Sequence, residues 1–261
     1  MSTSSAITLY GRPSPAYEAH VAEALAILRA AVAEFGASTI VQASSLGAED
    51  VVLSHLVESN DLGIPLFVLD TGKLHPETLA LLQATQQRRA ESLTVYRPDP
   101  ASVQAFVSAE GDEAMYRSIK LRKRCCQIRK LEPLERALQG KSAWLTGLRR
   151  EQSGARAAVP LRDDSEQAAG RPVKFNPLAN WTWGDIWHYI ATQQVPYNPL
   201  HDQFYPSIGC APCTRAVTLG EDFRSGRWWW EQDQVRECGL HVASATHPET
   251  SPASLLQEQK A

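Results

Sequence analysis

Over residues 16–35 the apolar side chains of Val21, Leu25, Leu28 and Val32 return every three or four positions, which predicts an amphipathic helix closed by Gly36. The pattern then shortens. Residues 39–43 (Thr-Ile-Val-Gln-Ala) form a compact apolar run that reads as a strand, turns at Ser44-Ser45-Leu46-Gly47 and passes into a helix over 48–58. A second strand is predicted over 65–69, ending in Asp70-Thr71-Gly72, and Pro76 suits the first turn of the helix that follows. A third strand falls at 93–96 and a weaker helical stretch at 100–115. Residues 128–138 are helical by the spacing of Leu131, Leu134 and Leu138, with Pro133 predicting a kink or a fresh start. Another strand covers 142–146, residues 162–171 read as a polar surface loop, and 183–191 as an aromatic-rich helix. Strands alternating with helices predict an α/β fold built on a doubly wound parallel sheet. The expected organisation is a loose arm over 1–15, one α/β domain over 16–242 and a mobile tail over 243–261.

Five cysteines change the picture. Cys125 and Cys126 are adjacent within a basic stretch, and Cys210 and Cys213 form a Cys-x-x-Cys pair. Neighbouring cysteines rarely meet the geometry of a relaxed disulfide. Four thiolates are the usual ligand set of an iron–sulfur cluster, and an adjacent pair suits a body with two irons close together better than one tetrahedral ion. A four-cysteine zinc site is the alternative. Cys238 stands apart in Glu237-Cys238-Gly239-Leu240-His241. It is a candidate nucleophile, because a nearby protonated imidazole lowers a thiol pKa, and a buried inert thiol is the other reading.

Composition narrows the classes. A 261-residue chain can bury a full core, and 43% hydrophobic with 21% charged residues is ordinary for a globular protein. The net charge of −3 gives no overall attraction to nucleic acid or an anionic membrane. No apolar run is long enough for a transmembrane helix, and the first residues lack a secretory pattern. Reduced thiols and a metal site fit the cytoplasm.

Open parallel sheets bind ligands beyond the carboxyl ends of their strands. Three such ends carry polar turns: 44–47, 70–72 and 147–153. The first runs into a helix N-terminus, which favours an anion such as phosphate, though a simple cap explains Ser-Ser-x-Gly equally well. Asp50 suits either a cap or a ribose contact. Lys130, Arg149, Arg150, Arg156, Arg224 and Arg227 lie near separate turns. Singly they read as solvated surface; gathered on one side they would grip phosphate or sulfate oxygens. Trp228, Trp229 and Trp230, with Trp181, Trp183 and Trp187, read as packing.

Together these motifs resemble the assimilatory adenylylsulfate (APS) reductases of the APS/PAPS reductase family, over residues 44–241. The residues that carry the resemblance are Ser44-Ser45-Leu46-Gly47-Ala48-Glu49-Asp50, Leu69-Asp70-Thr71-Gly72 and Cys125-Cys126-x-x-Arg129-Lys130, followed by residues 146–153, Cys210-x-x-Cys213, Arg224-x-x-Arg227 and residues 237–241. The resemblance implies a Rossmann-like sheet of the adenine-nucleotide hydrolase type and one [4Fe–4S] cluster on Cys125, Cys126, Cys210 and Cys213. It implies that Cys238 is the catalytic nucleophile, that His241, Arg224 and Arg227 hold sulfate and phosphate, and that Lys130 lies between cluster and substrate. Ser44, Ser45, Gly47 and Asp50 correspond to the phosphate loop, Leu69 to the adenine contact, and Gly147, Arg149 and Arg156 to the remaining substrate-binding region. Leu46 departs from relatives with a small hydroxyl residue there, which leaves backbone contact alone at that position.

The implied reaction reduces APS to sulfite and AMP through an S-sulfocysteine, with electrons from thioredoxin or a glutaredoxin-like donor, in sulfate assimilation. No nucleic-acid or membrane partner is expected, and a homo-oligomer is compatible. The nearest rival is use of the 3′-phosphorylated substrate PAPS, alone or alongside APS. A tRNA sulfur-transfer or ATP-pyrophosphatase enzyme would want a Ser-Gly-Gly-x-Asp-Ser loop that residues 44–50 do not supply. A zinc-stabilised nucleic-acid-binding module fits poorly with the acidic balance.

Overall fold

The computed structural model describes residues 5–231, apart from 90, 166 and 219. Within them a six-stranded sheet runs in the order β3-β2-β1-β4-β6-β5, with β1 Ile40–Ser44, β2 Leu66–Leu69, β3 Leu93–Tyr96, β4 Ala143–Leu145, β5 Arg162–Asp163 and β6 Val173–Phe175. Every neighbouring pair is parallel except β5 against β6. The chain winds outward from β1 to β3, then returns to place β4 on the other side of β1. The strand order therefore reverses between β1 and β4, where such sheets open a crevice. The doubly wound α/β expectation holds.

Side chains two apart along a strand face the same layer, and the core divides accordingly. Ile40, Val68, Ala143 and Leu145 face the layer of α2 (Tyr17–Phe35), α3 (Ala48–Ser59), α4 (Pro76–Arg88) and α8 (Trp183–Gln193). Their strand neighbours Val41, Phe67 and Trp144 face Leu134 and Ala137 of α7 (Glu132–Leu138). Burying a leucine or valine contributes about 1.5–3 kcal/mol, so both faces are anchored.

The cysteine helix is continuous. After α5 (Pro100–Glu110), α6 (Ile119–Cys126) runs through a π-turn over Gln127–Leu131 into α7. Pro133 follows directly on the π-turn, where the helical hydrogen-bond register is already interrupted, and the helix continues past it.

Two expectations are corrected. Residues 5–15 are not a loose arm: α1 (Ala6–Tyr10) is capped by the Ser5 hydroxyl, which accepts from Thr8 N at 3.2 Å. Ala6 is fully buried and its N–H donates to the Asp202 carboxylate at 2.7 Å. Within 162–171, Arg162–Asp163 add an edge strand paired to β6, a three-residue strand with no alternation to reveal it.

Candidate functional site

The turn after β1 is built by its own side chains. Ser44 Oγ accepts from Leu46 N at 3.1 Å, while the Asp50 carboxylate accepts from Ser45 N and Ser45 Oγ, both at 2.6 Å. Leu46 adopts φ 61°, a left-handed conformation costing roughly 1–2 kcal/mol for a side chain of this kind. Its leucine is 2% exposed in the core, and that burial offsets the strain. The side chain at 46 is thus committed inward. Gly47 occupies the cap position before α3 and has no side chain to cap it, leaving first-turn N–H groups open to an anion. Gly147, at the end of β4, closes against this turn: a Cβ there would lie 2.5 Å from Asp50 Oδ1.

Two carboxylates stand at this end of the sheet, and their surroundings shift them in opposite directions. Burial works to raise the pKa of Glu49, but the Arg149 charge and a Gln152 hydrogen bond overcome it and hold the carboxyl below its ordinary range. Arg149 donates to Glu49 Oε1 at 3.0 and 2.9 Å, and Gln152 adds a third bond at 2.9 Å. Asp50 goes the other way: burial pushes it up to about 6 against the pull of the Ser45 hydrogen bonds.

A cleft opens over these strand ends. Ten of the residues singled out by sequence line it: Ser44, Ser45, Gly47, Asp50 and Leu69, then Lys130, Gly147, Arg156, Arg224 and Arg227. Phe67, Leu134 and Trp144 give it an apolar wall suited to a flat base. Arg149 is the exception. It is fully buried, off the cleft wall, and spent on Glu49, Glu151 and the Trp181 carbonyl. The expected substrate contact is therefore a structural ion pair, because the guanidinium turns inward beneath the turn it follows. Arg156 remains on the cleft and donates to Gln152 Oε1 at 2.6 Å.

Beside the cleft lies a small cavity walled by all four paired cysteines, which are 7–9% exposed. Ala211 N bonds Lys73 O at 2.7 Å, pinning the Cys210–Cys213 turn against the end of β2. Thr71 Oγ1 lies 3.3 Å from Cys210 Sγ, and Arg129 donates to Thr71 O at 2.8 Å. Burial pushes the Cys210 thiol up, but Lys130, Thr71 and Arg227 together leave it below the ordinary thiol range. Cys213 is pushed up to about 12 by burial and by the charge of Cys210. Lys130 and Trp228 line both the cleft and the cysteine cavity, and so form their common wall. The Trp228 ring has the guanidiniums of Arg122, Arg227 and Arg224 at 4.6, 4.7 and 6.0 Å from its centroid. Cys238 and His241 fall outside the described residues.

The donor set here is soft sulfur alone, with no carboxylate on the cavity wall and with Arg122, Arg129, Lys73 and Lys130 around it. That chemistry fits a thiolate-bound cluster, whose negative charge the cations offset. Among the described residues no three His, Cys, Asp or Glu side chains are grouped to hold a single metal ion. No described helix is long and apolar enough to cross a membrane.

Sequence reasoning missed three residues of this region. Glu49 lay inside a quoted motif beside Asp50, His201 lines the cleft, and Arg122 pairs with Glu231 at 2.8 Å beside the cysteines. Glu49 and Arg122 lay within stretches the sequence already marked; His201 did not.

Comparison with known proteins bears on the whole. The phosphoadenosine phosphosulfate reductase domain model matches residues 39–216. The adenosine 5′-phosphosulfate reductase of Allochromatium vinosum is 51% identical over 203 residues, covering 78% of each chain. That of Burkholderia cepacia is 48% identical over 204 residues, covering 78% of this chain and 81% of its own. The crystal structure of phosphoadenylyl-sulfate (PAPS) reductase from Candida auris, a phosphate complex, aligns with TM-score 0.62 and 29% identity over 75% of this chain and 90% of that one. Candida glabrata FMN adenylyltransferase in complex with ATP, at 14% identity and TM-score 0.56, covering 89% of this chain and 80% of that one, shares the fold alone. The Rossmann-like sheet of the adenine-nucleotide hydrolase type is thus borne out. With 51% of 203 aligned residues identical to one such relative, over 78% of its length, the protein belongs to the phosphoadenosine phosphosulfate reductase domain family.

Proposed function

We propose that this protein reduces adenylyl sulfate to sulfite and AMP in sulfate assimilation, using Cys238 as nucleophile and a thioredoxin or glutaredoxin-like dithiol as electron donor. The observation that carries this reading is the common wall: a cleft over the strand ends with Lys130, Arg224 and Arg227 on it abuts the cavity of four cysteines. The relatives named above as adenosine 5′-phosphosulfate reductases support APS as substrate.

The apolar patch of Phe67, Leu69 and Trp144 receives the adenine, and the open N–H groups at Gly47 with the Ser44–Ser45 turn receive the α-phosphate. Lys130, Arg224 and Arg227, joined by His241, hold the sulfate and offset the charge that accumulates as a thiolate meets the phosphosulfate anhydride. Cys125, Cys126, Cys210 and Cys213 hold a [4Fe–4S] cluster, which when bound supplies iron–thiolate charge beside this cationic wall.

The Cys238 thiolate attacks the sulfur of APS. A new S–S bond forms to the sulfuryl group as the S–O bond to phosphate breaks, and AMP leaves with the electron pair. One thiolate of the donor then attacks the Cys238 sulfur and releases sulfite. The donor's second thiol resolves the mixed disulfide, so that the dithiol supplies both electrons. Cytoplasmic placement follows from this donor; assembly into a homo-oligomer is compatible with it.

In the test, anaerobically purified protein is assayed for sulfite release from APS with a thioredoxin donor. Wild-type protein should be brown and contain iron, and Cys238→Ser should lose turnover while retaining AMP binding. Near-normal turnover in the serine variant would remove Cys238 from the reaction, and colourless, zinc-loaded protein would remove the cluster. A matched assay with the 3′-phosphorylated nucleotide decides between strict and dual substrate use.

A further inference from the structure

Arg227 lies on the cleft wall with only 6% of its surface exposed, so what it rests on sets where its charge points. Its Nη1 donates to the Ile208 carbonyl at 3.3 Å and to Ser207 Oγ at 3.4 Å, and its Cζ stands 4.7 Å from the centroid of the Trp228 ring. The same guanidinium covers Gly209, which also lines the cleft. A Cβ at 209 would lie 2.5 Å from Arg227 Cζ and 3.0 Å from Nη1, and closer still to Nη2. The three atoms nearest to that Cβ all belong to this one group. The backbone at 209 does not take a positive φ, so its conformation does not call for glycine. The room above it does.

Gly209 is itself fixed. Its N–H donates to Thr214 Oγ1 at 3.1 Å, and that hydroxyl donates to the Cys210 carbonyl at 3.0 Å. Thr214 also forms an isolated antiparallel bridge with Arg227, and Trp228 N donates to the Cys213 carbonyl at 3.2 Å. The turn bearing Cys210 and Cys213 therefore holds both the seat of the guanidinium and the backbone that carries it.

We infer that Gly209 is a positioning residue for substrate binding: it leaves the space in which the Arg227 guanidinium lies, and so sets where that charge meets the sulfate of APS. The inference rests on the reading of Arg227 as a sulfate-holding cation. A methyl group at 209 meets the far end of a long side chain, which moves aside at little cost to folding, so the loss falls on binding. Gly226 supplies the contrast, because a Cβ there would run into the Arg215 carbonyl oxygen, which is backbone.

Calorimetry of APS and AMP on holoprotein carrying Cys238→Ser, which does not turn APS over, tests this. Gly209→Ala should weaken APS about tenfold and leave AMP, which has no sulfate, unchanged. Arg227→Met ends short of the atoms that a Cβ at 209 would meet; it should weaken APS at least about tenfold. The double variant Gly209→Ala/Arg227→Met should bind APS no more weakly than Arg227→Met alone, since nothing remains for the methyl group to displace. Gly209→Ala protein that binds APS as tightly as its parent overturns the inference, as does an equal loss for AMP or a double variant in which the two losses multiply. Should Gly209→Ala fail to fold with its iron, iron content carries the same test: adding Arg227→Met must restore it there and must not restore it to Gly226→Ala. Iron still missing from the double variant overturns the inference. Arg227→Met protein that binds APS as tightly as its parent would instead overturn the reading of Arg227 as a sulfate cation.

Discussion

The two neighbouring cavities each have a buried arginine–glutamate pair behind them, and the pairs are used differently. Behind the cleft, Arg149 and Glu49 bind at 2.9 Å with side chains 1% and 10% exposed, tying the turn after β4 to the start of α3. Behind the cysteines, Arg122 and Glu231 bind at 2.8 Å with side chains 1% and 2% exposed, tying α6 to the residue that precedes the undescribed stretch containing Cys238. The first pair cancels a carboxylate that would otherwise face an anionic ligand. The second fixes the cysteine helix against Glu231, the last of the described residues. One pair thus neutralises a carboxylate at the cleft, and the other locks α6 to Glu231 beside the cysteine cavity.

This difference is sharpest under mutation. Glu231→Ala leaves the Arg122 charge buried beside the thiols, and removing one partner of such a pair costs about 3–5 kcal/mol. The urea midpoint should fall accordingly while AMP affinity stays near wild type, and Arg122→Met/Glu231→Leu should regain most of the loss. Arg149→Met should destabilise by a similar amount or somewhat less, since Gln152 still bonds Glu49 at 2.9 Å. Here, however, AMP affinity should drop about tenfold, because a less compensated carboxylate now borders the phosphate turn. Equal AMP affinities in the two single variants would erase the distinction between the pairs.

How much of this could be read from sequence follows from the range of the contacts involved. The turns after β1 and β2 are made by residues within a few positions of one another, as with Asp50 and Ser45, so their order along the chain already displays the site. The four cysteines are legible because ligand spacing is itself chemical information. Arg149 was misplaced because nothing local says whether a guanidinium after a strand turns to the cleft or beneath it; its partner Glu49 lies 100 positions away. The helix at Ala6–Tyr10 depends on Asp202, and β6 has only three residues, too few to show a period. His201 had no signal at all, since what marks it is its burial at the cleft wall, a property of the folded surroundings.

The smallest effect concerns two groups of the cleft that titrate in opposite directions. Asp50 is raised from 3.8 to about 6, so the folded protein holds its proton more tightly than the unfolded chain. That contribution to stability is full below about pH 4 and is lost as pH rises through about 6. His201 is lowered from 6.5 to about 4, so the folded protein refuses a proton that the unfolded chain accepts. Its contribution is full above about pH 6.5 and is lost as pH falls toward 4. Each shift spans a little over two pKa units, up to about 3 kcal/mol, and between pH 4 and 6.5 the two slopes oppose and largely cancel. Wild-type stability should therefore change little from this pair across that window. His201→Leu leaves Asp50 alone and should grow more stable, relative to wild type, as pH falls from 7 to 4. Asp50→Asn should do the reverse. Urea midpoints taken at half-unit pH steps read the slopes directly, and curves that run parallel in all three proteins would show that the two groups do not balance one another.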